Sequence, residues 1–230
     1  MKKLFVLLMA ALLLVGCSSA PTAEELAAQG YVLNPTENGY VAQGALPESA
    51  RDTSKTYKPN KDSGDTACTA DAYAAACSSI GVDNLYQYLN RDDVVYIDLR
   101  DYVDYSKKHL RNFEVIPYFA LIFNANAGEE GKPQLYSGSV DAPVATYEES
   151  DDLLEAYFPK DKTIFLMCQS GGRVVNMMKL LAAKGYDMSK IYNVGGMGQY
   201  TAAEYAPYTV DASEVTVNAT YSFEGLTPVK

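Results

Sequence analysis

Hydrophobic and polar positions alternate between two periods along this chain. From Val82 to Asn90 the apolar residues Val82, Leu85, Tyr86 and Leu89 recur at helical spacing, and Asp93 precedes a compact strand at Val94-Val95-Tyr96-Ile97. A helix through Tyr102, Val103 and Tyr105 is expected next. After a long irregular stretch, Ser150 to Phe158 reads as a helix with Leu153, Leu154, Tyr157 and Phe158 on one side, stopped by Pro159. Thr163-Ile164-Phe165-Leu166-Met167 is an unbroken apolar run, the pattern of a parallel strand covered on both faces. Val174 to Lys184 carries Val174, Met177, Met178 and Leu181 as a helical core stripe, with Gly185 at the C-cap position. Ile191-Tyr192-Asn193-Val194 is a further short strand that runs into Gly195-Gly196. Strands alternating with helices define an α/β domain with a parallel sheet, whose ligand site belongs at the carboxyl ends of the strands.

The flanks follow neither period. Lys2 and Lys3 precede an unbroken apolar run from Leu4 to Val15, too short to span a bilayer comfortably, and residues 1–16 read as a signal peptide. Leu14-Val15-Gly16-Cys17 resembles a bacterial lipobox, which implies a lipid on Cys17 and a protein tethered on the extracytoplasmic side of the cell membrane. Residues 18 to about 66 are rich in Ala, Thr, Asn, Pro, Gly and Lys, so residues 17–79 read as a lipid-anchored spacer. The C-terminal extension, residues 204–230, alternates from Glu214 to Tyr221, which suits an edge strand or a cover over the domain.

Composition narrows the chemistry. With 19 Lys and Arg against 29 Asp and Glu, the formal charge is −10, which argues against a nucleic-acid partner. Removing residues 1–16 takes away Lys2 and Lys3 and moves it to −12. A single His excludes a His-rich zinc site, and no cofactor or metal is expected. At 230 residues, 48% hydrophobic, the chain supports one domain with appendages. If Cys17 carries lipid, three cysteines remain, and an exported compartment permits a disulfide between Cys68 and Cys77. Cys168 is then the odd thiol.

That thiol opens the segment Cys168-Gln169-Ser170-Gly171-Gly172-Arg173, between a buried strand and a helix. The two glycines let the backbone curl, so that the amides of Gln169, Ser170, Gly171 and Gly172 can face a bound anion at the positive end of the helix dipole. A sulfur anion gains from those donors, and Arg173 adds a fixed charge and a bidentate grip. His109 reads as a hydrogen-bonded structural residue in the turn after a helix. Asp98 and Arg100, at a strand end, read as braces for the active loop.

Four ordered motifs resemble the rhodanese-like family, single-domain sulfurtransferases. They are Val95-Tyr96-Ile97-Asp98-Leu99-Arg100, His109-Leu110 with Ile116-Pro117, Cys168 through Arg173, and Gly185-Tyr186 followed by Val194-Gly195-Gly196-Met197. The resemblance implies a rhodanese-like parallel sheet flanked by helices over residues 80–203. It also implies a persulfide on Cys168 and a donor oriented by Arg173, with a small sulfur donor such as thiosulfate or a polysulfide and a thiol or cyanide-like acceptor. Only four residues separate Cys168 from Arg173, one fewer than the phosphatases and arsenate reductases of similar fold require. Departures from the family pattern are Lys108 in place of Gly, Arg111-Asn112-Phe113 in place of a Pro-Gly-Ala stretch, and Tyr200 where many members carry Trp. The segment 119–149 is long for a connection and suits a lid, a protein-partner surface or a flexible insertion. Two other functions fit the same residues: a catalytically inactive module that binds a protein through 119–149, and thiol-disulfide exchange at Cys68 and Cys77.

Overall fold

The computed structural model describes residues 31–32, 41–42, 45–212 and 214–229. The signal segment 1–16 and the lipidation residue Cys17 lie outside the described residues. Among the described residues no helix is long and apolar enough to cross a membrane.

Four parallel strands form the central sheet: β1 (Val94–Asp98), β3 (Glu114–Val115), β6 (Thr163–Cys168) and β7 (Ile191–Gly196), in the order β7-β6-β1-β3. The middle strand β6 is the apolar run read from the sequence. It pairs Ile164 to Met167 with Val95 to Asp98 of β1, and Ile164 to Leu166 with Ile191 to Asn193 of β7. Because strand side chains alternate between faces, one face of β6 carries Ile164, Leu166 and Cys168 and the other carries Phe165 and Met167. Two cores result. The first packs Ile164, Leu166 and Cys168 beneath α3 (Gly172–Ala183) with its Val174, Met177, Met178 and Leu181, and beside Leu154 of α2 (Ser150–Tyr157) and Phe158. The second buries Phe165, Met167, Tyr192 and Val194 against Leu85, Leu89, Phe113, Tyr200 and Tyr205.

Between β1 and β3 run the short helix α1 (Tyr102–Lys107) and strand β2 (Lys108–Leu110). The hairpin of β4 (Tyr136–Ser139) and β5 (Ala142–Ala145) precedes α2, and β8 (Thr209–Asp211) pairs antiparallel with β2.

Several expectations change. The helical spacing from Val82 to Asn90 yields only a 3₁₀ turn at Leu85–Tyr88, since the Asn84 side chain accepts from the Gly81 amide and donates to the Ser79 carbonyl. Leu85 and Leu89 are still buried. Tyr157 leaves the core side of α2 and is exposed. The edge strand of the C-terminal extension is β8, ahead of the alternation at Glu214–Tyr221, which stays irregular. Its later residues do cover the domain: Phe223 stacks on Tyr147, and Thr227 donates to Glu149 through its amide and its hydroxyl. Segment 119–149 is folded rather than loose, with a π-helical turn at Tyr118–Ile122 and then the β4–β5 hairpin, which Lys179 of α3 meets at Asp141.

The spacer ends earlier than residue 79. Ala50 is fully buried, and the buried Arg51 donates from Nη1 to the Ile191 carbonyl at 2.7 Å. The expected disulfide between Cys68 and Cys77 is formed, with both residues buried. Its loop leans on the carboxyl end of β7, where Asn193 Nδ2 donates to the Tyr73 carbonyl at 2.8 Å.

Candidate active site

Cys168 is the last residue of β6 and the one free cysteine among the described residues. Period-two alternation turns its side chain toward α3, and the residue is only 1% exposed. The chain then curls through Gln169 and Ser170, both exposed, and through Gly171, whose φ of +89° a side chain would strain. This curl points the Gly171 amide back at the thiol sulfur, 3.1 Å away. The amides of Gln169, Ser170 and Gly172 have no hydrogen-bond partner among the described residues. They sit where α3 begins, so the partial positive charge of the helix end adds to theirs. The loop therefore carries unspent donors next to the sulfur.

Residues outside the Cys168–Arg173 motif hold that curl in place. A Cβ on Gly196 would stand 2.2 Å from the Gln169 carbonyl oxygen, so only glycine lets the loop seat on β7. The buried Asn193 donates from Nδ2 to the carbonyls of Tyr73 and Gly171 and accepts from the Gly195 amide. Ala75, inside the disulfide loop, packs 3.4 Å from the Cβ that Gly171 lacks. A polar residue in the middle of the apolar strand Ile191–Val194 was the sequence signal for Asn193; Ala75 left no signal.

Arg173 lies on the first turn of α3 and is engaged from three sides. Its Nη1 donates to the Leu99 carbonyl at 3.4 Å and stands 3.7 Å from the Asp101 carboxylate. Its guanidinium carbon lies 5.7 Å from the centre of the Phe119 ring. The structure thus brings Asp101 and Phe119 to the motif, from the β1–α1 junction and from the 119–149 segment.

Asp98 and Arg100 take a different part from the one expected. Arg100 Nε and Nη2 donate to both carboxylate oxygens of Asp98, and Arg100 donates further to the carbonyls of Asp104 and Lys108. Neither side chain reaches the loop after Cys168, because each is consumed by the other and by α1 and β2. Burial pushes the Asp98 carboxyl up, while the Arg100 hydrogen bonds pull it down. The residue between them makes the connection: the Leu99 amide donates to the Met167 carbonyl, and its own carbonyl receives Arg173. His109 is structural, as expected, but sits in β2 rather than a turn, with Nδ1 2.8 Å from the Tyr105 carbonyl and its ring stacked on Tyr105. Tyr200 is buried and donates its hydroxyl to the Val194 carbonyl, with its ring edge-on to Tyr205.

A strand-end cysteine, a loop of amides without partners and an arginine on the following helix thus meet at the carboxyl end of a parallel sheet. The model of the rhodanese-like domain matches residues 81–203, more than half of the chain, and the chain belongs to that family. The family is one of sulfurtransferases. Among solved structures, a rhodanese from E. coli with bound anions is similar at 18% identity over 51% of this chain and 98% of that one, with a TM-score of 0.31. No curated protein matches the chain.

Proposed function

We propose that the protein is an extracytoplasmic, lipid-anchored sulfurtransferase that carries a sulfane sulfur as a persulfide on Cys168. The observation that carries this reading is the Gly171 N–H aimed at the Cys168 sulfur, beside neighbouring amides with no partner of their own. With thiosulfate as donor, the Cys168 thiolate attacks the outer sulfur. A new S–S bond forms, the old one breaks, and sulfite leaves with its electron pair. The persulfide anion extends along the loop, where the amides of Gln169, Ser170 and Gly172 offset its charge as they would an oxyanion. An acceptor thiolate or cyanide then attacks the outer sulfur and returns the Cys168 thiolate. Arg173 orients the donor as it approaches the exposed rim at Gln169, Ser170 and Gly172.

The exposed apolar side chains Phe119 and Val144 of segment 119–149 favour a protein-binding module as the second reading. Burial of both Cys68 and Cys77 removes support from thiol-disulfide exchange. The test is intact-mass spectrometry of the mature protein after thiosulfate or polysulfide. One added sulfur, absent from Cys168→Ser, is expected, together with the mass of a lipid on Cys17. No added sulfur with either donor leaves only the binding reading.

A further inference from the structure

We infer that Asp101 selects the sulfur donor: by engaging Arg173 it disfavours small dianions, and it leaves the exposed Phe119 ring to seat a donor with an apolar body. This rests on the sulfurtransferase reading and names the substrate class of that same site.

Arg173 is the charge in the Cys168–Arg173 motif that would attract an anion, and Asp101 stands 3.7 Å from its Nη1. A donor that binds Arg173 must share it with that carboxylate. Each further negative charge on the donor adds to its repulsion from Asp101, which solvent screens in part because that side chain is 52% exposed. Arg100, the adjacent cation in sequence, does not neutralise Asp101, because its guanidinium is bonded to both oxygens of Asp98. Tyr221 of the C-terminal extension lies near the same carboxylate: burial first, and then the Asp101 charge, push its hydroxyl pKa up.

Phe119 supplies the other half. On the same π-helical turn Tyr118 and Ile122 are buried, whereas the Phe119 ring is 54% exposed. Its backbone is pinned, for Gln134 Nε2 donates to the Phe119 carbonyl at 2.9 Å. The ring therefore offers an exposed apolar surface 5.7 Å from the guanidinium carbon, suited to stacking a flat body. The favoured donor is a monoanion with an aromatic or aliphatic body, of which an arylthiosulfonate is the simplest. Cys168 attacks its terminal sulfur, the bond to the sulfonyl sulfur breaks, and an arenesulfinate leaves with the electron pair. The product is the same persulfide that thiosulfate gives.

Asp101 acts through Arg173 and is a positioning residue, so the test compares two donors rather than one rate. The ratio kcat/KM is measured for thiosulfate and for benzenethiosulfonate, with cyanide as acceptor, in the wild type, Asp101→Asn, Asp101→Glu and Phe119→Ala. The wild type favours benzenethiosulfonate by about tenfold, and Asp101→Asn raises the thiosulfate value about fivefold, mainly through KM, with less than about twofold change for the aryl donor. Asp101→Glu keeps the wild-type ratio. Phe119→Ala lowers only the aryl donor, by about fivefold. If both donors load Cys168 and Asp101→Asn leaves their ratio unmoved, the selection is overturned and the sulfurtransferase reading stands. If neither donor adds sulfur to any variant, both fall.

Discussion

Two strand-to-helix junctions lie side by side at the carboxyl end of the sheet and use their polar groups in opposite ways. After β1, Asp98 and Arg100 are buried and close on each other, and what remains of Arg100 is taken by α1 and β2. After β6, a single amide reaches the Cys168 sulfur, and its neighbours have no partner among the described residues. The topology is the same, and the difference lies in hydrogen-bond satisfaction. Where donors and acceptors are matched, as in the Asp98–Arg100 pair, nothing is left for a ligand and the contribution is rigidity; of this junction only Asp101 turns to Arg173. A junction with surplus donors at a helix start is less stable by itself and is completed by an anion.

The sharpest way to break the comparison is at the sulfur. Cys168→Ser is expected to lower sulfur transfer by about a thousandfold or more while changing unfolding free energy by no more than about 1 kcal/mol, read from steady-state rates and urea denaturation. At the other junction the signs exchange. Asp98→Asn leaves Arg100 buried without a counter-charge and costs about 3–5 kcal/mol in the same denaturation, while the folded fraction still accepts sulfur from a donor. A large activity loss in folded Asp98→Asn would show that the two junctions are not separable. Gly196→Ala ties packing to chemistry, since its Cβ would overlap the Gln169 carbonyl; about 3 kcal/mol of stability and a slower transfer step are expected together. Smallest is the double variant Cys68→Ser, Cys77→Ser. Opening that short loop costs about 2 kcal/mol, seen as a lower thermal midpoint, with a modest loss of rate through Tyr73 and Ala75.

Much of this was legible in the residue order. The strands at 94–97, 163–167 and 191–194, the helix closed by Gly185 and the cysteine at a strand end follow from local periods and turn chemistry, while cysteine counting allowed the disulfide that the structure forms. The misreadings share one cause. Val82–Leu89 had the spacing of a helix, but a side-chain bond from Asn84 limited it to a 3₁₀ turn. Residues 45–79 lacked periodicity, yet Ala50, Arg51, Cys68 and Cys77 are held by contacts with each other and with β7. Asp98 and Arg100 were placed at the right end of the right strand, while the further partners of Arg100, the carbonyls of Asp104 and Lys108, lay beyond a helix turn whose direction no local pattern specifies.

Residue order alone determined the parallel sheet, the position of Cys168 at the end of its middle strand and the glycines that curl the next turn, because each depends on neighbours a few residues away. Tertiary structure decided what surrounds Arg173. Asp101, Leu99 and Phe119 arrive there from positions 54 to 74 residues earlier in the chain. Such meetings are set by how the strands register and how the cores fill, quantities that belong to the packed molecule and have no local imprint.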